Sequence, residues 1–443
     1  MADTINPGKQ IRTAVPRTAQ GDCSVSPKRP SILTYIRESN RGRIKQLIPI
    51  RHGRMSASPF AFYRGTAGIM AHDLSFLPHT KLKVQAIGDC HLMNFGGYAT
   101  PERTLIFDAN DFDETLPAPW EWDVKRLATS FVLAARNNSM READARDMAI
   151  HMTASYRQGI YEFAAMPALD LWYIKFEMHQ LMNNTSSEKI RQLLKDAISK
   201  AEKATPQQVL YKITRNVRGS YEIADQPPLV YHPIKLEKEK AAIRVFLESY
   251  SRSLQADRRF LFSKYHLVDI ALKVVGVGSV GTHCMIALMM NEKNEPLLLQ
   301  VKEARRSVLE DYTAQSRYKH PGERIVQGQR LVQAASDIFL GWSSDLDGKD
   351  YYLRQLRDRK ITPDVTRFDK EVMMAYAGLC GRALARAHAK TGDAGMISSY
   401  LGKSDVMDLA IGKFAVAYAD QTEKDFEAFV KAIKAGKLPV EKV

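Results

Sequence analysis

The sequence of 443 residues lacks a membrane-spanning apolar run and has only four cysteines, none of them in a CxxC pair. A spanning helix needs about 20 consecutive apolar residues, so we expect no membrane partner. Isolated cysteines in a long chain do not indicate a disulfide framework, and we therefore expect a cytoplasmic protein. Internal repeats and long low-complexity tracts are also absent, which argues against a collagen-like, coiled-coil or largely disordered chain.

Positive charge is in excess, with 64 Lys and Arg against 50 Asp and Glu and a net charge of +14. Residues 1–30 contain many Pro, Ser, Thr and basic residues but no apolar centre, so we predict a flexible basic tail rather than a signal peptide. The charge suits nucleic acid, anionic lipid or phosphorylated ligands. No nucleic-acid-binding motif accompanies it, so nucleic acid is not expected as a partner, and a basic nucleic-acid-binding protein is only a third alternative.

Hydrophobic periodicity predicts an α+β protein. The region 31–165 mixes helical patterns with strands at 83–87 and 103–108, whereas 166–255 is mostly helical and charged. The later elements are predicted in the order antiparallel meander 267–302, helix 322–337, strand 351–356, helix 370–390 and helix 408–435.

A glycine-rich turn interrupts the predicted meander. Gly276, Gly278 and Gly281 form a GxGxxG motif that includes Ser279. Dinucleotide-binding folds and kinase phosphate loops share this motif, but in the former a helix must follow it. Here the glycines precede the strand-like run THCMIALMM. We therefore predict a hairpin that exposes backbone N–H groups to phosphates, with a merely structural turn as the alternative.

Lys302 ends the third strand of the meander, in LLLQVKEA, and we expect it on the same face as the glycine loop. It resembles the lysine that holds nucleotide phosphates in protein kinases and pairs with an acid on the next helix. Glu323 is the candidate for that acid, and Glu310 is the alternative. A surface lysine at a strand end is the competing interpretation.

Asp89 and Asn94 lie in GDCHLMN, directly after the strand at 83–87. Their spacing is that of a kinase catalytic loop, in which the Asp accepts the substrate proton and the Asn binds magnesium. The pattern GDxHxxNF is closer to the loop of aminoglycoside, choline and related small-molecule kinases. No His and Cys residues around His91 have zinc-site spacing, so His91 is predicted to organise the loop by hydrogen bonding.

A cluster of acids, DANDFDE, follows the strand at 103–108. Carboxylates at a strand end can direct hard oxygen ligands at one magnesium ion while phosphates complete its coordination. In a kinase-like site either Asp108 or Asp111 is the metal ligand, and both stay open. An acidic loop that caps the next helix is the alternative.

The motifs occur in an order that ordinary kinases do not have, since the catalytic loop and the acids precede the glycine loop and the lysine. The helix at 370–390 resembles the one before a catalytic loop, yet no such loop follows it. A circular permutation explains both departures. We therefore predict a two-lobed, protein-kinase-like fold with an antiparallel small lobe and a mainly helical large lobe. Its segments are the tail 1–30, the catalytic-loop and metal-binding part of the large lobe 31–165, a helical connector or insertion 166–255, the nucleotide-binding small lobe 256–360 and the helical remainder of the large lobe 361–443.

Longer runs carry a resemblance to a known family, among them RMSASPFAFYRGTAGIMAHDL, VQAIGDCHLMNFGG, FDANDFDETLPAPWEWDVKRLA, GVGSVGTHCMIALM and ARAHAKTGDA. From about residue 30 onward the chain resembles the bacterial domain-of-unknown-function 2252 family, which implies a kinase-like fold and leaves the substrate open. Around the SPFAFYRG stretch of this motif, Arg51, Arg54 and Arg64 could clamp a phosphate or an anionic substrate, or else cap the surface or core. Trp120 and Trp122 are predicted to pack the helix that follows them.

The predicted function is magnesium-dependent transfer of a phosphoryl group from ATP to a hydroxyl group of an unidentified small molecule. A nucleotide-binding pseudokinase-like module and an AMP-transferring enzyme are the alternatives, and the oligomeric state is not predicted. Adenine is expected against the strand around 351–355. The assigned residues are Asp89 as base, Asn94, Asp108 and Asp111 as metal ligands, and Gly276, Gly278, Ser279, Gly281, Lys302 and Glu323 around the nucleotide.

Overall fold

The computed structural model describes residues 7–217, 220–233, 236–274, 276–356 and 359–441. In this part of the chain the helices are α1 Pro7–Ala14, α2 Ile32–Ser39, α3 Ile48–Met55, α4 Pro59–Tyr63, α5 Ala67–Ser75, α6 Trp120–Asn137, α7 Glu142–Ala164, α8 Ala168–Tyr173, α9 Met178–Asn184, α10 Glu188–Lys203, α11 Pro206–Ile213, α12 Leu236–Ser253, α13 Ala256–Phe262, α14 Pro321–Val332, α15 Lys370–Thr391, α16 Ala394–Leu401 and α17 Val406–Lys434. The strands are β1 Lys83–Ala86, β2 Phe95–Ala99, β3 Leu105–Ala109, β4 Leu116–Pro119, β5 Phe176–Glu177, β6 Thr214–Val217, β7 Ser220–Ile223, β8 Val230–Tyr231, β9 His266–Lys273, β10 Cys284–Met290, β11 Pro296–Glu303, β12 Gly341–Ser344, β13 Asp350–Gln355 and β14 Lys360–Ile361.

These elements form a mixed α+β fold, which confirms the predicted class. One sheet has six strands in the order β12-β13-β11-β10-β9-β8, and a second has four in the order β14-β2-β3-β5. The pairs β1-β4 and β6-β7 form small sheets of their own. Every pairing within the described residues is antiparallel. The meander predicted over 267–302 is confirmed as β9, β10 and β11, with Cys284 opposite Lys302.

The largest core lies among α6, α7, α15 and α17, which pack against one another. Trp120 and Trp122 begin α6 and are buried, as predicted for packing residues. The ring of Trp120 stacks on Tyr156 of α7, with centroids 5.6 Å apart. No helix within the described residues has both the length and the apolarity that a bilayer crossing requires.

Helix α14 ends at Val332, five residues before the predicted end at 337. The chain leaves the helix because its next polar groups bond to strand β3 instead. The N–H of Ala334 donates to the Asp108 carboxylate at 2.9 Å, and the Gln333 side chain donates to the carbonyl of Ala109 at 2.8 Å. Periodicity alone does not reveal such a competition between helical and tertiary hydrogen bonds.

The N-terminal segment differs from the predicted flexible tail, since residues 7–30 are packed on the C-terminal helices. Helix α1 contacts α16, and Arg29 joins two distant carboxylates. Its Nε lies 2.8 Å from Asp73, and its Nη2 lies 2.6 Å from Asp425. Composition could not reveal these partners because they lie in other helices. Residues 1–6, the start of the predicted tail, lie outside the described residues.

The segment 166–255, predicted as one helical connector or insertion, contributes to several parts of the fold. Strand β5 completes the four-stranded sheet and β8 completes the six-stranded one. Helix α12 packs on β12, where the Tyr250 hydroxyl donates to the carbonyl of Phe339 at 2.6 Å. Of this segment, residues 218–219 and 234–235 lie outside the described part.

Candidate functional site

A cleft of about 430 Å³ lies between the loop from β9 to β10, the end of β11 and the loops that follow β1 and β3. The sequence-predicted residues that line it include Asp89, Asn94, Asp111, Gly276, Gly278, Ser279 and Lys302. Asp108, Gly281 and Glu323 do not line it. Its other walls are formed mainly by charged and amide side chains, among them Arg43, Arg64, Asp113, Glu114, Lys273, Gln300, Glu303, Arg305, Arg354 and Gln355.

The glycine loop joins two antiparallel strands, as predicted, and is fixed from outside the sheet. The N–H of Ile44 donates to the carbonyl of Gly281 at 2.7 Å, and Arg43 donates to the carbonyl of Val280 at 2.6 Å. Gly281 has φ +86°, a conformation that glycine adopts without steric cost. A Cβ on Gly276 would have no heavy atom within 4 Å, so this side of the loop is open to a ligand.

Lys302 forms a buried ion cluster at the centre of the cleft. Its Nζ lies 2.7 Å from Asp113 and 3.4 Å from Asp111, and the Tyr352 hydroxyl donates to Asp113 at 2.6 Å. Burial alone would lower the pKa of Lys302, but the two carboxylates outweigh it and hold that pKa well above its usual value. Burial would raise the pKa of Asp113, but the lysine and the tyrosine lower it. Lys302 and Asp113 are therefore both charged near neutral pH.

The acid partner of Lys302 is thus Asp113, a residue that the sequence analysis did not single out. Glu323 lies in the first turn of α14, where its N–H bonds to the His320 ring, and no contact with Lys302 is present among the described residues. Glu310 forms a capping box instead. The signal that could have identified Asp113 is its place in the acid cluster after β3.

Helix α14 contributes Arg324 rather than Glu323 to the site. The guanidinium of this buried arginine donates to the backbone carbonyls of Asp113 at 2.8 Å and Arg305 at 2.9 Å, and also to Thr115. One side chain therefore fixes the acid loop to the chain that follows β11. The interaction positions the Asp113 carboxylate opposite Lys302.

Asp89 follows β1 and presents a partly exposed carboxylate to the cleft. The Arg126 Nε donates to its Oδ1 at 2.7 Å, and Nη2 of the same guanidinium donates to the same oxygen. His91 lies 3.8 Å from Oδ2, so this oxygen has no close partner among the described residues. The Asn94 side-chain nitrogen donates to the Asp89 carbonyl at 2.7 Å, which leaves its amide oxygen for a ligand.

The loop that carries Asp89 is held by a buried network that the sequence analysis missed. Asp123 of α6 accepts hydrogen bonds from the N–H groups of Ile87 at 2.6 Å and Gly88 at 3.0 Å. The same carboxylate lies 3.2 Å from His388 of α15, whose other ring nitrogen lies 2.9 Å from the Tyr156 hydroxyl. The sequence signal that could have identified this network is the presence of polar residues in the otherwise apolar patterns of α6 and α15.

Asp108 and Asp111 have different surroundings. Asp108 is 1% exposed and is paired with Arg386, whose Nη2 lies 2.8 Å from both carboxylate oxygens. Asp111 is 35% exposed at its side chain and lines the cleft. Of the two candidates left open by the sequence, only Asp111 can reach a ligand in the cleft.

The cleft offers a small number of oxygen donors to a magnesium ion. No group of three or more His, Cys, Asp and Glu side chains in the described ranges is arranged as a metal site. Magnesium is usually bound by one or two carboxylates, with substrate phosphates and water completing its octahedron. The Asp111 carboxylate and the Asn94 amide oxygen line one cleft beside the glycine loop, so their chemistry fits a magnesium ion that arrives with phosphates.

The comparison with protein families gives one match. A family model described as "Uncharacterized protein conserved in bacteria (DUF2252)" matches residues 43–432, and the chain therefore belongs to this family. No curated protein and no solved structure matches the chain significantly.

Proposed function

We propose that this protein is a magnesium-dependent phosphotransferase that uses ATP and acts on a hydroxyl group of a small molecule. The observation that carries the proposal is the meeting of two distant chain segments in one cleft. Lys302 lies within 3.4 Å of both Asp111 and Asp113, and the same cleft is lined by Asp89 and Gly278. These are the residue types that phosphoryl transfer requires in one place.

The nucleotide is assigned to the side of the cleft formed by the six-stranded sheet. The open backbone at Gly276 suits close approach of phosphates, and the ammonium of Lys302 supplies the matching charge. Gln355 at the end of β13 lines the same cleft, which supports adenine near this strand. Bound magnesium would neutralise phosphate charge, with Asp111 and Asn94 as its protein ligands.

The acceptor is assigned to the side of Asp89. Arg126 occupies Oδ1 of this carboxylate, so Oδ2 is the oxygen that orients the acceptor hydroxyl and accepts its proton. A bond forms between the acceptor oxygen and the γ-phosphorus while the bond from that phosphorus to the ADP oxygen breaks. Since such transition states are loose, positioning contributes more than proton removal, and a carboxylate paired with arginine can serve.

The permuted kinase-like order is supported by the contact between α15 and β1. The N–H of Gln85 donates to the Thr391 hydroxyl at 3.2 Å, so the end of α15 lies beside the strand that leads into the Asp89 loop. In an ordinary kinase these two elements are consecutive. Their proximity is what a permutation requires, and we propose a two-lobed kinase-like fold on this basis.

The test measures binding of ATP with magnesium to the full chain by calorimetry, followed by ATP turnover. We expect Lys302→Met and Asp111→Asn to reduce magnesium-dependent turnover by orders of magnitude while the urea midpoint shows that the chain is folded. Lys349→Met, in an exposed turn outside the cleft, is the matched control. Wild-type protein that binds no ATP with magnesium would contradict the proposal.

An AMP-transferring enzyme or a nucleotide-binding module on the same fold remains the second candidate. The observation that favours it is the double hydrogen bond from Arg126 to Asp89, which ties this carboxylate to α6 and gives it a structural partner. Mass spectrometry of small hydroxyl compounds incubated with protein and ATP separates the cases, because a phosphoryl and an adenylyl group differ in mass. ATP binding without any covalent product would favour the module.

A further inference from the structure

Arg64 is a largely buried arginine that the proposed chemistry has not yet used. It follows α4, and its side chain lines the cleft together with Asp89 and Asp111. Its Nε is buried and has no hydrogen-bond partner among the described residues. A buried N–H group without an acceptor is unfavourable, and arginine stays charged in proteins. The described residues offer this nitrogen no acceptor, and the side chain that carries it lines a cleft that a ligand can enter.

Neighbouring arginines are held by the protein. Arg51 donates to the Asn40 side chain at 2.7 Å and to the carbonyl of Gly65 at 3.2 Å. Arg126 is bound to Asp89, and Arg43 is bound to the glycine loop. Each of these three guanidiniums donates to a protein acceptor, although the Nε of Arg51 also lacks one, whereas no hydrogen bond from the Arg64 side chain is present among the described residues.

The position of Arg64 is defined by three parts of the site. Its backbone carbonyl would lie 3.6 Å from a Cβ on Gly278, which places the residue next to the glycine loop. Burial lowers the pKa of Arg64, and the carboxylates of Asp89 and Asp111 oppose that effect by raising it. The guanidinium therefore lies in the cleft with the proposed base and metal ligand, and the backbone of the same residue lies beside the glycine loop.

We propose that Arg64 donates hydrogen bonds to the oxygens of the phosphoryl group as it passes from ATP to the acceptor. This inference rests on the proposed function. In the transfer the acceptor oxygen bonds to the γ-phosphorus, the bond to the ADP oxygen breaks, and the hydroxyl proton goes to Asp89. Charge spreads over the three equatorial oxygens of the phosphoryl group, and a planar guanidinium binds two such oxygens at once.

The geometry favours the phosphoryl group over a distant anionic part of the acceptor. A side chain near both Asp89 and Asp111 lies on the path between acceptor and donor. Lys302 is already assigned to the phosphates on the nucleotide side, where Asp113 fixes its ammonium at 2.7 Å. A residue that recognises another part of the acceptor would lie beyond Asp89, away from the metal ligand.

The experiment uses the full chain with ADP, magnesium and aluminium fluoride, which together mimic the planar phosphoryl group in transfer. Transition-state mimics bind far more tightly than ground-state ligands where the stabilising groups are present. We expect wild-type protein to bind this mixture at least about 100-fold more tightly than ADP with magnesium alone. In Arg64→Gln this gain in affinity from aluminium fluoride should be lost, while the affinity for ADP changes less than about threefold. Arg64→Lys should recover part of the gain.

Arg141→Gln, at an exposed arginine far from the cleft, is the matched control and should retain the full gain. Urea unfolding verifies that each variant is folded. If Arg64→Gln retains the gain, or loses ADP affinity to the same degree, the assignment of Arg64 is overturned while the proposed function stands. If wild-type protein binds neither ATP nor ADP with magnesium, both proposals are overturned.

Discussion

Replacing Asp108 should destabilise the protein without removing the proposed metal site, although the residue lies in the acid cluster. Arg386 is fully buried, and one of its nitrogens donates to both oxygens of Asp108 at 2.8 Å. In Asp108→Asn the buried guanidinium loses its counter-charge. Breaking a buried ion pair on one side costs about 3–5 kcal/mol, a large part of the roughly 5–15 kcal/mol that folded proteins have.

The assay combines urea unfolding, followed by the fluorescence of the four tryptophans, with calorimetry of ATP and magnesium binding. We expect Asp108→Asn to lower the free energy of unfolding by about 3 kcal/mol or more and to leave binding intact below the transition. Adding Arg386→Met should restore most of the loss, because the unpaired buried charge is removed. Unchanged stability combined with lost magnesium dependence would refute the reasoning and make Asp108 the metal ligand.

Three further results are expected. Gly281→Ala should destabilise the glycine loop by about 1–2 kcal/mol, because the alanine must adopt φ +86°. Gly276→Ala is the control, since its added Cβ enters open space. Equal urea midpoints for the two variants would contradict this expectation. His52 is buried as a neutral ring. One ring nitrogen lies 2.6 Å from a backbone carbonyl, and the other lies 3.0 Å from the Asn40 amide nitrogen. Burial lowers the pKa of His52. As the pH falls, the His52 ring is therefore protonated in the unfolded chain before it is protonated in the folded one. The free energy of unfolding should fall as the pH drops below about 6.5, and this fall should be less steep in His52→Gln. Arg29→Met should leave two buried carboxylates without their arginine partner, cost about 3 kcal/mol and speed proteolysis of the N-terminal segment. Unchanged cleavage would indicate a loose tail.

Local pattern was sufficient to predict the strands and the hairpin around the glycines. Alternating apolar residues and a polar turn define β9 to β11, and the same register places Lys302 opposite Cys284. Backbone conformation and strand pairing depend on neighbours in sequence, so they can be read from a single chain. The positions of Lys302 and of the glycines relative to these strands were therefore predictable.

The partners of those residues were not predictable, because they come from remote parts of the chain. Nothing around Asp108 shows that Arg386 will bury it, and nothing around Lys302 shows that Asp113 is nearer than Glu323. Charge alone does not distinguish a structural carboxylate from a ligand, since both occur in the same acidic run. Which acid faces the cleft depends on how α14 and α15 pack, and this is a tertiary property.

The buried link between Asp123 and His388 has a consequence for biosynthesis. The chain leaves the ribosome with its N-terminus first, at about 5–20 residues per second, so the loop at Gly88 emerges long before α15 does. Until then the carboxylate that orients this loop lacks its imidazole partner, and Asp108 lacks its arginine. The nascent polypeptide therefore cannot assemble the cleft until α15 has left the ribosome, and we expect a chaperone that shields the early helices to raise the yield of native protein.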